Sequence, residues 1–141
     1  MPKTLIVANQ TLGGNELADL VRDRAAGNEG FHVVVPATPA GDHTVPNDDA
    51  IASAKIRLGQ ALDRFGRTGA SVTGEVALTE PLDAIGEALA QDSYDGIIIS
   101  TLPPGASRWL RLDLPHRVER KFNLPVVTIK APPENGVAAA R

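Results

Sequence analysis

Residues 96–129 read GIIISTLPPGASRWLRLDLPHRVERKFNLPVVTI, and this stretch decides the fold. Ile97-Ile98-Ile99 is apolar at consecutive positions, as in a parallel strand covered on both faces, and by that criterion it reads as the most central strand. Pro103-Pro104-Gly105 turns the chain, and an amphipathic segment divided by Pro115 runs to Phe122. Pro125-Val126-Val127-Thr128-Ile129 is then a last β-branched run. Strand, helix and strand in that order make a βαβ unit, whose parallel strands require a crossover.

The same alternation continues outward from this unit. Thr4–Ala8 is a short strand, and Leu17, Leu20, Val21 and Ala25 recur at helical spacing up to Gly27. Phe31–Val35 is a second strand ending at Pro36, followed by a loop rich in Pro, Gly, Asp and Thr. Ile51, Ala54, Leu58, Leu62 and Phe65 form the stripe of the longest helix, with Asn47 or Asp48 as cap and Gly66 as stop. Ser71–Leu78 alternates as a third strand. Thr79-Glu80-Pro81 then reads as a helix start with a hydroxyl cap, before the stripe Leu82, Ile85 and Leu89. The order β-α-β-α-β-α-β-α-β predicts a single doubly wound α/β domain, a five-stranded parallel sheet with helices on both faces. It spans residues 1–131, and residues 132–141 read as a flexible C-terminal tail.

With 141 residues, 43% hydrophobic and 22% charged, the chain has ordinary globular composition. No run approaches the ~20 apolar residues of a membrane span, and Met1-Pro2-Lys3-Thr4 leads into its first strand without the long apolar segment of a secretory signal. These features predict a cytoplasmic protein with no membrane partner. The absence of cysteine excludes disulfides, thiolate metal sites and cysteine nucleophiles, and no metal is expected. A net charge of −3 argues against a nucleic-acid partner. The charge is uneven: residues 108–121 hold five basic and two acidic side chains (+3), against nine basic and fifteen acidic in the remainder (−6). Such a segment is either an anion or partner site or the solvated face of one helix.

Doubly wound sheets bind ligands beyond the carboxyl ends of their strands, where strand order reverses. With the first strand placed centrally, that crevice lies between residues 9–14 and 100–107. Gly13-Gly14 before a helix either presents N–H groups to an anion or makes a tight turn. Ser100, Thr101, Gly105, Ser107 and Arg108 combine hydroxyls at a strand end, a rigid turn and a cation, which suits a carboxylate or phosphate. Alternatively, the prolines stiffen a connection and Ser107 caps a helix. For nucleophilic catalysis, Ser100 or Ser107 with His116 and Asp113 is the one candidate set, but Asp113 also reads as an N-cap. Gly41-Asp42-His43-Thr44 with Asp48-Asp49 reads as a polar loop rather than a metal site. His32 reads as a packed or edge histidine, and Trp109 and Phe122 as core contacts.

Over residues 3–130 the sequence resembles the universal stress protein family. The resemblance is carried by Leu5–Asn9, by Gly30–Pro36, by Thr79–Ile85 and, most specifically, by Ile97 through Arg120 into Leu124–Ile129, including Gly105, Ser107, Arg108, Leu110, Arg117, Val118 and Arg120. It implies the adenine nucleotide α-hydrolase-like fold, with strand order 3-2-1-4-5. ATP-binding members carry Gly, two residues, Gly, nine residues, then Gly and Ser or Thr. Those positions fall on Ile99, Leu102, Leu112 and Asp113, where leucines would fill the phosphate space and a carboxylate would repel. The family's adenine-reading aspartate is Asn9 here.

The resemblance therefore implies a non-enzymatic stress-response or regulatory binding protein without the usual ATP motif, no cofactor, and ATP or AMP disfavoured. The alternative is a nucleotide- or small-anion-binding switch built on residues 9–14 and 100–108. The candidate ligand residues are Asn9, Gly13, Gly14, Val35, Ser100, Thr101, Gly105, Ser107, Arg108 and Asp113. Val126, Val127 and Ile129 make an apolar last strand that needs a cover, which predicts a homodimer through that strand.

Overall fold

The computed structural model describes residues 2–37 and 47–131. The expectations for the 41–44 loop and for the tail 132–141 lie outside the described residues. The elements are β1 (Lys3–Val7), α1 (Asn15–Ala25), β2 (Gly30–Pro36), α2 (Asp48–Gly66) and β3 (Ser71–Ala77). They continue with α3 (Pro81–Gln91), β4 (Gly96–Thr101), α4 (Arg108–Arg111), α5 (Leu114–Phe122) and β5 (Val126–Lys130).

All five strands pair in parallel, in the order β3-β2-β1-β4-β5. The middle strand is thus β1, not the triple-isoleucine β4, which lies one place out. Both are apolar on both faces because helices cover both. On one face Ile6, Phe31, Val33 and Ile98 pack against Leu17 and Val21 of α1 and Ala54, Ala61 and Phe65 of α2. On the other, Leu5, Val7, Val34, Ile97 and Ile99 pack against Ala84, Ile85 and Ala88 of α3, Trp109, and Leu114 and Val118 of α5. At roughly 1.5–3 kcal/mol per large apolar side chain fully buried, these two layers dominate the stability. Phe122 packs beside Trp109's cluster, so both aromatics are core contacts.

Several local expectations change in the structure. In α3 Ala84, Ile85 and Ala88 are buried against the sheet, while Leu82 and Leu89 are only partly buried and flank the core. Its N-cap is Glu80, without a side-chain capping bond, and the Thr79 hydroxyl, one residue too early to cap, points to Glu87. In α2 Asn47 does cap, its Oδ1 accepting from Ala50 N at 2.8 Å, but Gly66 ends the helix as its last residue and the reversal falls on Gly69 at φ +90°. The strand β3 stops at Ala77, leaving Leu78 exposed.

The segment before β5 breaks at Leu112–Asp113 rather than at Pro115. A continuous helix would need a Pro115 N–H for the Arg111 carbonyl. The chain instead restarts, with Asp113 in the left-handed region (φ 56°, ψ 39°) and Pro115 in the first turn of α5, where the missing donor costs nothing. Of the two readings of His32, packed or edge, the structure gives the packed one. It lies on β2, inside the sheet, with Nδ1 2.7 Å from Thr73 Oγ1 and Nε2 2.8 Å from Glu75 Oε2 on the edge strand β3.

Candidate functional site

The reversal of winding falls between β1 and β4: the helices after β1 and β2 cover one face, and those after β3 and β4 cover the other. The loops leaving β1 and β4 therefore diverge at their carboxyl ends and frame the crevice where this fold class binds ligands. Its described rim is residues 9–14 on one side and 100–107 on the other.

The floor of this crevice is lined by hydroxyls that bond to one another. Thr11 Oγ1 lies 2.6 Å from Ser100 Oγ, joining the β1–α1 loop to β4, and Thr101 Oγ1 lies 2.5 Å from Ser107 Oγ. All four side chains are buried. Ser107 Oγ also accepts from Leu110 N at 3.0 Å and so caps α4. The Pro103-Pro104 turn closes on itself, with the N–H groups of Ala106 and Ser107 both donating to the Pro103 carbonyl at 3.1 Å. Gly105 stands in this turn at φ +93°, a conformation that favours glycine. Across the crevice, the Gly14 N–H donates to the Thr11 carbonyl, and a Cβ on Gly14 would lie 3.2 Å from that oxygen.

The polar side chains at the rim are likewise engaged. Asn9 donates through Nδ2 to the Pro36 carbonyl at 2.8 Å and accepts through Oδ1 from Arg57 at 2.9 Å, so both ends of its amide are used. Arg108 is half-buried and paired with Glu80 at 3.1 Å, which neutralises the cation expected to meet an anion. Val35 is fully buried among the residues under α1 and α2, a core contact rather than a crevice wall. Leu112 is 45% exposed and does not plug a cavity, while Leu102 is half-buried in the turn. Asp113 is exposed, its carboxylate 3.4 Å from His116 Nδ1. The structure thus brings Asp113 and His116 together but leaves the Ser100 and Ser107 hydroxyls bonded to Thr11 and Thr101. No triad is assembled.

Two residues absent from the sequence reading reach this site from α2. Besides Arg57, Arg64 donates through Nη1 to the Gly13 carbonyl at 2.7 Å and through Nη2 to Asn15 Oδ1 at 2.9 Å. The only sequence signal for the pair is their spacing of i and i+7, which puts them on one helix face. Among the described residues, the side chains whose proton affinities are clearly moved lie at the other end of the sheet. The Lys3 ammonium is raised by its hydrogen bond to Asp92, the same bond holds Asp92 below the usual carboxylate range, and burial pushes the Tyr94 phenol up. Among the described residues no group of three metal-ligating side chains converges, and no helix is long and apolar enough to cross a membrane.

No family model and no curated protein matches the sequence. Solved structures do. A universal stress protein from Archaeoglobus fulgidus aligns at a TM-score of 0.64 and 21% identity, over 92% of this chain and 94% of its own. Another structure of a universal stress protein from the same organism, in complex with dAMP, aligns at 0.62 and 23% over 92% and 98%. A universal stress protein in complex with cAMP aligns at 0.57 and 18% over 90% and 96%. The chain has the universal stress protein fold. The five-strand order and the helices on both faces expected from the sequence are those of this fold.

Within that fold, the Thr11–Ser100 contact is a buried pair in which each hydroxyl satisfies the other. Thr11→Val should leave the Ser100 hydroxyl buried and alone, destabilising by about 1–3 kcal/mol, and the double variant Thr11→Val with Ser100→Ala should lose less than the two single changes together. Urea denaturation of the four proteins measures this coupling, and strictly additive losses would mean the two hydroxyls do not depend on each other.

Proposed function

We propose that this chain is a member of the universal stress protein family acting in the cytoplasm as a non-enzymatic regulatory binding protein, and that its crevice does not take Mg-ATP in the family's usual manner. The observation that carries this reading is the mutual pairing of the crevice's polar groups: Thr11 with Ser100, Thr101 with Ser107, Asn9 with Pro36 and Arg57, and Arg108 with Glu80. A triphosphate that used these groups as its partners would have to break their bonds, each time leaving a buried or half-buried group to be satisfied again. The sequence supports the same reading in that the glycines and hydroxyl of ATP-binding members are replaced by Ile99, Leu102, Leu112 and Asp113, although Leu112 and Asp113 are exposed rather than filling the crevice.

Catalysis finds no support in the geometry, because the hydroxyls are buried and bonded while the Asp113–His116 pair is exposed and apart from them. Calorimetric titration with Mg-ATP should show no binding tighter than about 1 mM, equivalent to about −4 kcal/mol, and ATP, phosphate esters and acyl esters should not turn over. Micromolar Mg-ATP affinity would overturn the reading.

The fold's other unfilled need is at β5. It is an edge strand, Val127 is 39% exposed on it, and Val126 and Thr128 are half-exposed. Edge strands with apolar residues are ordinarily covered or charged, and we assign a second copy of the chain as the cover. Light scattering at micromolar concentration should give twice the 14.8 kDa chain mass, and Val127→Lys should return it to the monomer value. A monomer before substitution contradicts the assignment.

A further inference from the structure

Among the described residues, the arginines held in a fixed geometry divide into two kinds. Arg22, Arg24, Arg67 and Arg108 each have a carboxylate within 4 Å. Arg57 and Arg64 are half-buried, reach the same loop from one face of α2, and hydrogen-bond only neutral acceptors: Asn9 Oδ1 for the first, the Gly13 carbonyl and Asn15 Oδ1 for the second. Seven residues apart, they are separated by about 10 Å along the helix axis. Arg64 spends its two ends of the guanidinium on the loop itself, holding Gly13 and Asn15 in place. Arg57 spends one N–H of five, leaving a donor-rich head beside the carboxyl ends of β1 and β2.

Among the described residues, no carboxylate lies within 4 Å of the Arg57 guanidinium, whose one hydrogen bond goes to Asn9. Residues 9–15 and 100–107 contain no acidic side chain, and Glu80, in the described loop that leaves β3, is paired with Arg108. Asn9 is central to this balance. A carboxylate at that position would make Arg57 a salt-bridged arginine like the other four, whereas the amide fixes the guanidinium by a hydrogen bond and leaves its charge unmatched. A half-desolvated cation with only neutral partners recovers little of its lost hydration, and an anion beside it recovers more. We propose that Arg57, oriented by Asn9, is the anion-binding residue of this crevice, and that it takes a small acceptor-only group, a phosphate monoester or a carboxylate. Arg64 is a positioning residue, acting through the loop. The assignment rests on the reading that the crevice holds something other than Mg-ATP, and it replaces Arg108, which Glu80 already neutralises.

The test is thermal unfolding at constant ionic strength with inorganic phosphate, AMP, citrate or chloride added, in the unmodified protein and in Arg57→Gln, Arg57→Lys and Arg67→Gln. Arg67 follows the last residue of the same helix, is paired with Asp63, and controls for the loss of one positive charge. Phosphate and AMP, or citrate, should raise the Tm beyond chloride, and which of them does so separates the phosphate from the carboxylate source. Arg57→Gln should weaken the apparent affinity about tenfold or more, Arg57→Lys should retain part of it, and Arg67→Gln should match the unmodified protein. No anion-specific shift, or an equal loss in Arg67→Gln, overturns the proposal. Micromolar Mg-ATP binding that survives Arg57→Gln would overturn the preceding reading of the crevice instead, so the two failures are distinguishable.

Discussion

The hydrogen bond between Thr11 and Ser100 crosses the one place in the sheet where the direction of winding reverses. Two loops that diverge to opposite faces are tied there, below their rims, by a pair of buried hydroxyls. Much of the crevice follows from this contact. With the Thr11 side chain committed to β4, its carbonyl receives the Gly14 N–H and sets the entry to α1, and with β4 fixed, Thr101 meets Ser107 and the Pro103 turn closes over them. A binding crevice of a familiar fold is thereby converted into one whose polar floor is satisfied from within.

The electrostatics of the site come from a different element than the sequence points to. The basic run at 108–121 is mostly solvated: Arg117, Arg120 and Lys121 are exposed, and Arg108 is paired. The charge that reaches the crevice arrives from α2, across the sheet order, through Arg57 and Arg64. A guanidinium on a neutral amide is a different object from one on a carboxylate. The first keeps its net charge for whatever approaches, and the second has spent it. Asn9 decides between these two cases while serving, through Pro36, to fasten the ends of β1 and β2 together.

The architecture was legible because it is written in local periodicity: consecutive apolar residues in β1, β2 and β4, stripes of three and four in α1 and α2, and alternation of strand with helix. What escaped sequence reading involves competition between neighbours. The break at Asp113 and the displaced cap at Glu80 both depend on which of several adjacent residues the tertiary contacts select, whereas the central position of β1, which no single strand's composition carries, came with the strand order that the family resemblance implies. The candidate site was legible as a pair of loops and no further. Sequence marks Ser100, Ser107 and Arg108 as groups capable of holding an anion, but it cannot show that each already has a partner: Thr11 and Glu80 far along the chain for Ser100 and Arg108, and nearby Thr101 for Ser107. Arg57 and Arg64 lie on a helix whose sequence reads as an ordinary amphipathic one, so their role becomes visible only when α2 is packed against the β1–α1 loop.

The central claim is that the crevice floor is closed by its own hydroxyls, and the most direct measurement is solvent exchange of those hydroxyl protons by nuclear magnetic resonance in protein labelled at threonine and serine. The account predicts resolved hydroxyl resonances for the Thr11–Ser100 and Thr101–Ser107 pairs near neutral pH, exchanging slowly on the chemical-shift scale as befits buried, bonded groups. Hydroxyl protons at these four residues that average freely with water would mean that the floor stands open, and would contradict it.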